Sequence, residues 1–261
     1  MIALRSVIFN IALYAYLIGA MLVIWPVFLL PRKVGWPAIR WWAFTNLWLL
    51  RHIARIDIEV RGRENIPQGG FIVASKHQSM WETFALIPLF RDPVFIFKRE
   101  LMWIPLFGWY AWKFHMIPVN RGRGSAVLPV LTTRAREAIS EGRQLLIFPE
   151  GTRRPAGAPP AYKFGVAHLY KEIGCPVLPV ALNSGAYWPR RKFLRFPGTI
   201  VIEILPAIEP GVPTSQFREI LTDRIEDASD RLLLEAAESN PAPPLSEMAR
   251  QHLDEKFGPA Q

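Results

Sequence analysis

The chain has 261 residues, 51% of them hydrophobic, with 31 Lys and Arg against 22 Asp and Glu and a formal net charge of +9. That length suits one domain with an appendage, or two small domains, and it is enough to bury a sizeable core. A mean hydropathy of +0.14 is high for a freely soluble chain, a basic surface seeks polyanions, and a lone cysteine (Cys175) excludes an intrachain disulfide.

Residues 7–30, VIFNIALYAYLIGAMLVIWPVFLL, form one apolar run whose strongly polar member is Asn10. A bilayer span needs about 20 apolar residues, and a signal peptide has a core of roughly 7–15 ending at small residues. This run is longer and ends in PRK, so it reads as a retained anchor. From Met1 to Arg55 there is no acidic residue, while Arg32, Lys33, Arg40, Arg51 and Arg55 follow the run. The positive-inside rule then puts the rest of the protein on the cytoplasmic face of the cell membrane. Trp25, Trp36, Trp41, Trp42 and Trp48 crowd the same region, and WPAIRWWAFTNLWLLRH reads as an interfacial helix or a buried one. Tryptophan and this anchor favour lipid over nucleic acid as the polyanionic partner.

After Arg55 short apolar runs alternate with helical stretches, the pattern of an α/β domain. Strands are expected at 56–60, 70–75, 93–98, 116–120, 144–149, 176–182 and 200–205, with helices near 79–89, 124–141 and 164–173 and a partly helical stretch at 101–115. Cys175, at the entry to an apolar strand, reads as a buried inert thiol. Residues 215–236 show helical apolar spacing, and the Pro-rich, then charged tail beyond them reads as a peripheral or partly disordered arm. The expected architecture is a mixed, mostly parallel sheet of about seven strands flanked by helices. Its divisions are an N-terminal membrane segment (1–55), an α/β domain (56–210) and a helical tail (211–261).

Three polar constellations interrupt this pattern. SKHQSMWETF (75–84) places His77 between a strand and a helix, where open α/β sheets bind ligands. Ser79 and Glu82 match a capping box. A first-turn Glu82 can equally reach back to fix the His77 imidazole, leaving Nε2 as a general base. LIFPEGTRR (146–154) runs a strand into a tight turn at Gly151, with Thr152, Arg153 and Arg154 offering donors and charge suited to phosphate. IPVNRGRG (117–124) sets Arg121 and Arg123 in a Gly-spaced loop that could hold an anion or simply be solvated. Lys98, Arg99 and Glu100 close the strand PVFIFKRE as a further polar cluster.

In this order and spacing, HQSMWE, the GW…IPVNR segment, FPEGTR and the apolar PVLPVAL strand resemble the blocks of the glycerolipid acyltransferases, specifically the PlsC-type 1-acylglycerol-3-phosphate acyltransferases, over residues 55–205. One departure is Glu82, where that family usually has Asp. The resemblance implies a transferase that moves an acyl group from acyl-CoA or acyl-carrier protein to a lysophospholipid hydroxyl, with no other cofactor and no metal. By analogy His77 would be the base, Glu82 its orienting partner, and Arg121, Arg153 and Lys98 the phosphate ligands. Glu150, Gly151 and Thr152 would shape the acceptor site. The implied partners are an anionic membrane, the lysophospholipid and the acyl donor, and no nucleic acid. Lysophosphatidic acid is the expected acceptor, with another lysolipid such as lyso-ornithine lipid as the alternative. Outside this class stand a hydrolase using Ser79 with His77, and a catalytically silent membrane-binding protein.

Overall fold

The computed structural model describes residues 1–258, apart from the side chain of Arg123. The strands are β1 (Ile56–Arg61), β2 (Phe71–Ser75), β3 (Pro93–Lys98), β4 (Ile117–Val119), β5 (Gln144–Ile147), β6 (Val177–Leu182) and β7 (Gly198–Ile204). They form one sheet in the order β1-β7-β6-β2-β5-β3-β4. Neighbours are parallel throughout except at β6–β7, where Leu182 pairs with Ile202 antiparallel, so β7 and its parallel neighbour β1 run against the other five. Every residue of β2, β5 and β6 is buried, which is why these segments read as unbroken apolar runs: a strand covered on both faces has no polar side.

The strand period of two splits those runs between two cores. Ile72, Ala74, Leu145 and Val177 face one layer, with Leu131 and Ala135 of α5 (Leu128–Ser140), Leu169 of α6 (Gly165–Ile173) and Phe217 and Leu221 of α8 (Thr214–Glu238). Phe71, Val73, Leu146 and Leu178 face the other. That second layer contains α1 (Ile2–Val23), α2 (Arg32–Leu49) and α3 (Glu82–Ala85), through Phe9, Leu13, Trp36, Ala43 and Phe84. The remaining helices are α4 (Phe107–Lys113), α7 (Ser184–Tyr187) and α9 (Glu247–Phe257). Cys175 is buried, and burial pushes its thiol up to about 11.

Several expected boundaries move for local reasons. The helix expected at 79–89 contracts to α3, followed by a 3₁₀ turn at Ile87–Leu89 around Pro88, whose ring cannot continue an α-helix. The one expected at 124–141 begins at Leu128, because Gly124 takes φ 55° and interrupts the preceding 3₁₀ turn. The apolar run 7–30 is not one helix: α1 starts at Ile2, ends at Val23 and gives way to a 3₁₀ turn carrying Pro26. The charged tail, expected as a loose arm, forms α9 and docks. Ala249 and Leu253 are buried, His252 Nε2 lies 2.9 Å from Asp230, and Lys256 reaches Asp227 and Asp230 at 2.6 and 2.9 Å. Residues 259–261 of that expected arm lie outside the described residues.

The N-terminal helices are fastened to the sheet domain along their length. Asp92, at the amino end of β3, accepts from Arg32 (2.6 Å) and from Trp36 Nε1 (2.7 Å) of α2, and from Arg143 (3.0 Å) beside β5. On α1, Ser6 Oγ accepts from the Arg195 amide (2.9 Å), Phe9 meets Trp188 edge-on, and the Met21 carbonyl accepts from Tyr110 (2.6 Å). These contacts span about 22 Å of helix at 1.5 Å per residue, so α1 runs alongside the domain. α1 is long and apolar enough to cross a membrane by length and composition. Its outer face (Ile8, Ile11, Ile18, Leu22) is exposed, as are Trp41, Phe44 and Trp48 of α2 and Trp109 and Trp112 of α4. Exposed apolar surface of this extent marks a lipid or protein contact.

Asp92 is the one carboxylate that touches Arg32, Trp36 and Arg143 together, and the Arg143 side chain is only 3% exposed. Removing one partner of such a buried set leaves an uncompensated charge. Asp92→Ala is expected to lower the unfolding free energy by about 3–5 kcal/mol. Denaturant titration in detergent checks this, and a loss under ~1 kcal/mol would show that α2 is held by apolar packing instead.

Candidate active site

The site sits at the carboxyl ends of the parallel strands. β2 ends at Ser75, and the chain turns through Lys76, His77, Gln78 and Ser79 into α3. Glu82, at the start of α3, is fully buried. A carboxylate without solvent needs donors, and three surround this one. Its oxygens accept from the amides of Gln78 (3.1 Å) and Ser79 (2.9 and 3.1 Å) and from the Ser184 hydroxyl. His77 Nδ1 lies 3.4 Å from Glu82 Oε2. That contact misses hydrogen-bond geometry, and Nδ1 has no other partner among the described residues. Catalytic hydrogen bonds are often loose without substrate. The capping and histidine-facing roles that competed for Glu82 therefore coexist: one carboxylate closes the turn through the backbone and faces the ring.

The imidazole is further fixed by stacking on Phe148, with ring centroids 3.9 Å apart and planes 16° from parallel. The Arg154 amide donates to the His77 carbonyl (2.8 Å), tying the turn after β5 to the His77 loop. Ser79 is fully buried and its hydroxyl accepts from the Trp81 amide at 3.3 Å, so it is engaged in turn geometry rather than presented as a nucleophile. The capping box is thus half-formed, because the Ser79 hydroxyl caps Trp81 and not Glu82.

The turn FPEGTR follows β5. Gly151 takes φ 67°, a left-handed conformation that favours glycine, and its amide donates to the Phe148 carbonyl at 2.8 Å. Arg121, after β4, donates to the Gly151 carbonyl, and burial presses its guanidinium below the usual range against the pull of Glu100. Lys98 is half-exposed and pairs with Glu100 at 3.1 Å, so Lys98, Glu100 and Arg121 gather on the β3–β4 side of the turn. Arg123 belongs to the same loop, but its side chain lies outside the described residues. Arg153 is engaged from the β6 side, its carbonyl accepting from Arg190 at 2.6 Å. Thr152 is exposed. The expected phosphate set is therefore gathered around one turn but approached from two sides.

Glu150 is 2% exposed and faces a cluster that sequence reading missed. Lys76 Nζ lies 3.4 Å from Glu150 and 2.7 Å from Glu226 of α8, and Tyr162 donates to Glu226 at 2.8 Å. Burial holds the Glu150 carboxyl above the usual carboxylate range, with Lys76 opposing the shift. The signal for Lys76 was a lysine set directly against an apolar strand end; Glu226, 150 positions away, carried none. Ser184 was also missed. It lies in NSG after β6, where the Gly185 amide also donates to Gln78 Oε1 at 2.9 Å. A Cβ on Gly185 would lie 3.0 Å from the Gln78 side chain, a contact tight enough that Gln78 would have to shift by a few tenths of an ångström.

Comparison with known proteins bears on this arrangement. The Acyltransferase family model matches residues 57–183, the stretch from β1 to the end of β6 that carries His77, Glu82, Arg121 and FPEGTR. Residues 57–183 belong to the acyltransferase family. A 1-acyl-sn-glycerol-3-phosphate acyltransferase of Pseudomonas aeruginosa is 41% identical over 167 residues, 64% of this chain and 65% of that protein. The alpha form from Mus musculus is 28% identical over 212 residues, covering 77% of this chain and 74% of the relative. The crystal structure of the 1-acyl-sn-glycerophosphate acyltransferase PlsC from Thermotoga maritima superposes with a TM-score of 0.76, covering 89% of this chain and 98% of that one. At 22% identity that likeness carries the fold: the mixed seven-stranded sheet with its flanking helices. As a fact of length, the alignment spans about two thirds of the Pseudomonas relative.

Within this acyltransferase domain, Lys76 is the cation that buried Glu150 and partly buried Glu226 share. Lys76→Met should destabilise the protein by about 3–5 kcal/mol, because Glu150 and Glu226 would be left together without it. Adding Glu226→Gln to Lys76→Met should recover part of that loss. Urea unfolding of the three proteins is the check, and a single variant as stable as the parent would mean that water already satisfies the pair.

Proposed function

We propose that this chain is a membrane-associated acyltransferase that moves a fatty acyl group from acyl-CoA or acyl-carrier protein to the free hydroxyl of lysophosphatidic acid, making phosphatidic acid for phospholipid synthesis. The observation that supports this most is the His77–Glu82 pair at the end of β2, framed by the FPEGTR turn and Arg121. The names of the Pseudomonas and mouse relatives point to the same reaction.

A protonated alcohol is a weak nucleophile, so the reaction needs a base. With Nδ1 turned to Glu82, Nε2 of His77 is the nitrogen left to take the proton from the acceptor hydroxyl. The hydroxyl oxygen forms a bond to the thioester carbonyl carbon, and the electron pair moves to the carbonyl oxygen. Collapse of that oxyanion re-forms the carbonyl and breaks the carbon–sulfur bond, and the departing thiolate takes the proton back from His77. Glu82 stabilises the transient imidazolium and holds the ring. Phe148 limits ring rotation by stacking. Arg121, Arg153 and Lys98 hold the acceptor phosphate, while Glu150, Gly151 and Thr152 shape its site. Arg suits this task because its planar fork matches two phosphate oxygens.

The proposed location is the cytoplasmic face of the cell membrane. The exposed apolar face of α1, α2 and α4 supports contact with lipid, and Lys33 and Arg51, both exposed beside it, suit anionic headgroups.

Under this reading His77→Ala should lower kcat for transfer to lysophosphatidic acid by about 10²–10⁴-fold, with the circular dichroism spectrum unchanged. Arg121→Ala should raise KM for lysophosphatidic acid roughly tenfold and leave KM for the acyl donor alone. Steady-state assays with purified protein in lipid vesicles check both. A fully active His77→Ala protein would end the assignment, and a KM change confined to the donor would remove Arg121 from the acceptor site.

A further inference from the structure

A second basic site lies across the sheet from Lys98 and Arg121. The loop after β6 carries Arg190, Arg191 and Lys192 in succession. They border a cleft of about 640 Å³ between this loop, the end of the FPEGTR segment at Pro155 and Ala156, and the start of α9. Among the described residues its charged lining is wholly basic, and the rest of the wall is mostly apolar, including Ala186, Phe196 and Leu245.

Arg190, in the lining, stands within the field of three other guanidiniums. Arg190 is held below its usual range first by desolvation and then by repulsion from Arg191, Arg153 and Arg154. Its Nη1 is spent on the Arg153 carbonyl, while its Nε is buried without a partner. Arg191 adopts φ 57°, a left-handed conformation uncommon for a non-glycine residue, and its side chain is exposed. α9 begins at the same cleft, with Ser246 lining the wall and capping the Ala249 amide at 3.2 Å, so a helix amino end adds partial positive charge. The cations that line the cleft have no acid beside them in its wall, so they repel one another, and an anion relieves that repulsion.

We infer that this cleft binds the phosphate-bearing pantetheine arm of the acyl donor. The inference rests on the acyl-transfer reading and assigns its second substrate. The sheet order sets the geometry: β6 lies on one side of β2 and β3–β4 on the other, with His77 at the end of β2. Acyl transfer brings together two ligands that each carry phosphate, and the molecule offers two basic zones flanking one histidine. Arg121, Lys98 and Arg153 serve the acceptor; Arg190, Arg191 and Lys192 serve the donor on the β6 side. The cleft joins the reaction centre through short links. Arg190 holds Arg153, the neighbouring Arg154 amide holds the His77 carbonyl, and Gly185 in the cleft wall holds Gln78. An arm that is polar at its phosphate and largely uncharged beyond it matches a basic rim over an apolar wall. A flat membrane surface would engage the exposed cations without using the concave wall, so the donor is the better occupant.

The test is binding of CoA alone, by isothermal titration calorimetry on the full chain in neutral detergent, with the double variant Arg191→Gln/Lys192→Gln. Both side chains are exposed, so folding is preserved. The variant is expected to weaken CoA binding about tenfold. In assays its donor KM should rise by the same factor with acyl-CoA, stay equal to the parent's with acyl-pantetheine that lacks the phosphate, and leave KM for lysophosphatidic acid unchanged. An equal rise with acyl-carrier protein supports recognition of the phosphate common to both donors, and a rise confined to acyl-CoA supports recognition of its nucleotide phosphates. Equal CoA binding by parent and variant would overturn the inference, as would a defect limited to capture of anionic vesicles. A parent that binds CoA in an Arg191- and Lys192-dependent way but transfers nothing to lysophosphatidic acid would sustain the donor site and strike only the acceptor proposed above.

Discussion

A single carboxylate with no access to water organises the centre of this molecule. Glu82 is buried completely, and among the described residues no permanent cation lies within contact of it. Its charge is met by two backbone amides, one hydroxyl and the edge of a histidine ring, drawn from the turn after β2 and the turn after β6. Because amide donors are fixed to the backbone, the carboxylate dictates the path of the chain from Gln78 to Ser79 and the placement of α7 beside it. The same oxygens that shape the loop also face the imidazole, so loop geometry and histidine orientation cannot vary independently. Removing the charge would disturb both at once.

Much of this was legible in the linear chain. All seven strands fall where short apolar runs stand between Gly, Pro and polar breaks, because strands buried on both faces leave that record. His77, Glu82, Arg121 and FPEGTR were visible because each follows a strand end within a few residues. What was not legible is mostly non-local. Nothing in GTIVIEI says that β7 runs against β6 and brings β1 with it. Lys76 gains its meaning only when Glu226 of α8 arrives beside it. The docking of α9 depends on Asp227 and Asp230, one helix earlier, matching Lys256 and His252. The short α3 was misjudged for a local reason: Pro88 outweighed the helical spacing around it.

Charge and apolar surface divide the labour differently from the way composition alone suggests. The net charge of +9 reads as a uniform attraction to polyanions, yet the cations near the centre are sorted into groups with distinct company. Lys98 and Arg121 share Glu100, while Lys76 is locked between carboxylates and lost to solvent. Arg190 and its neighbours stand against apolar wall with no acid in the lining. The same total charge thus supplies one structural tie and two separate basic zones.

The core that the amino-terminal helices share with the layer around α3 has a practical side. Phe9 of α1 meets Trp188, Trp42 of α2 meets Phe84 of α3, and Phe84 in turn leans on Trp188. Those rings form the wall behind the helix that carries Glu82. A shortened protein beginning at β1, cut to gain solubility, would trade one greasy exterior for another. It would strip Phe84 and Trp188 of their cover and uncouple the wall from the carboxylate it supports. The segment that looks like a detachable tether is, in packing, part of the protein's interior.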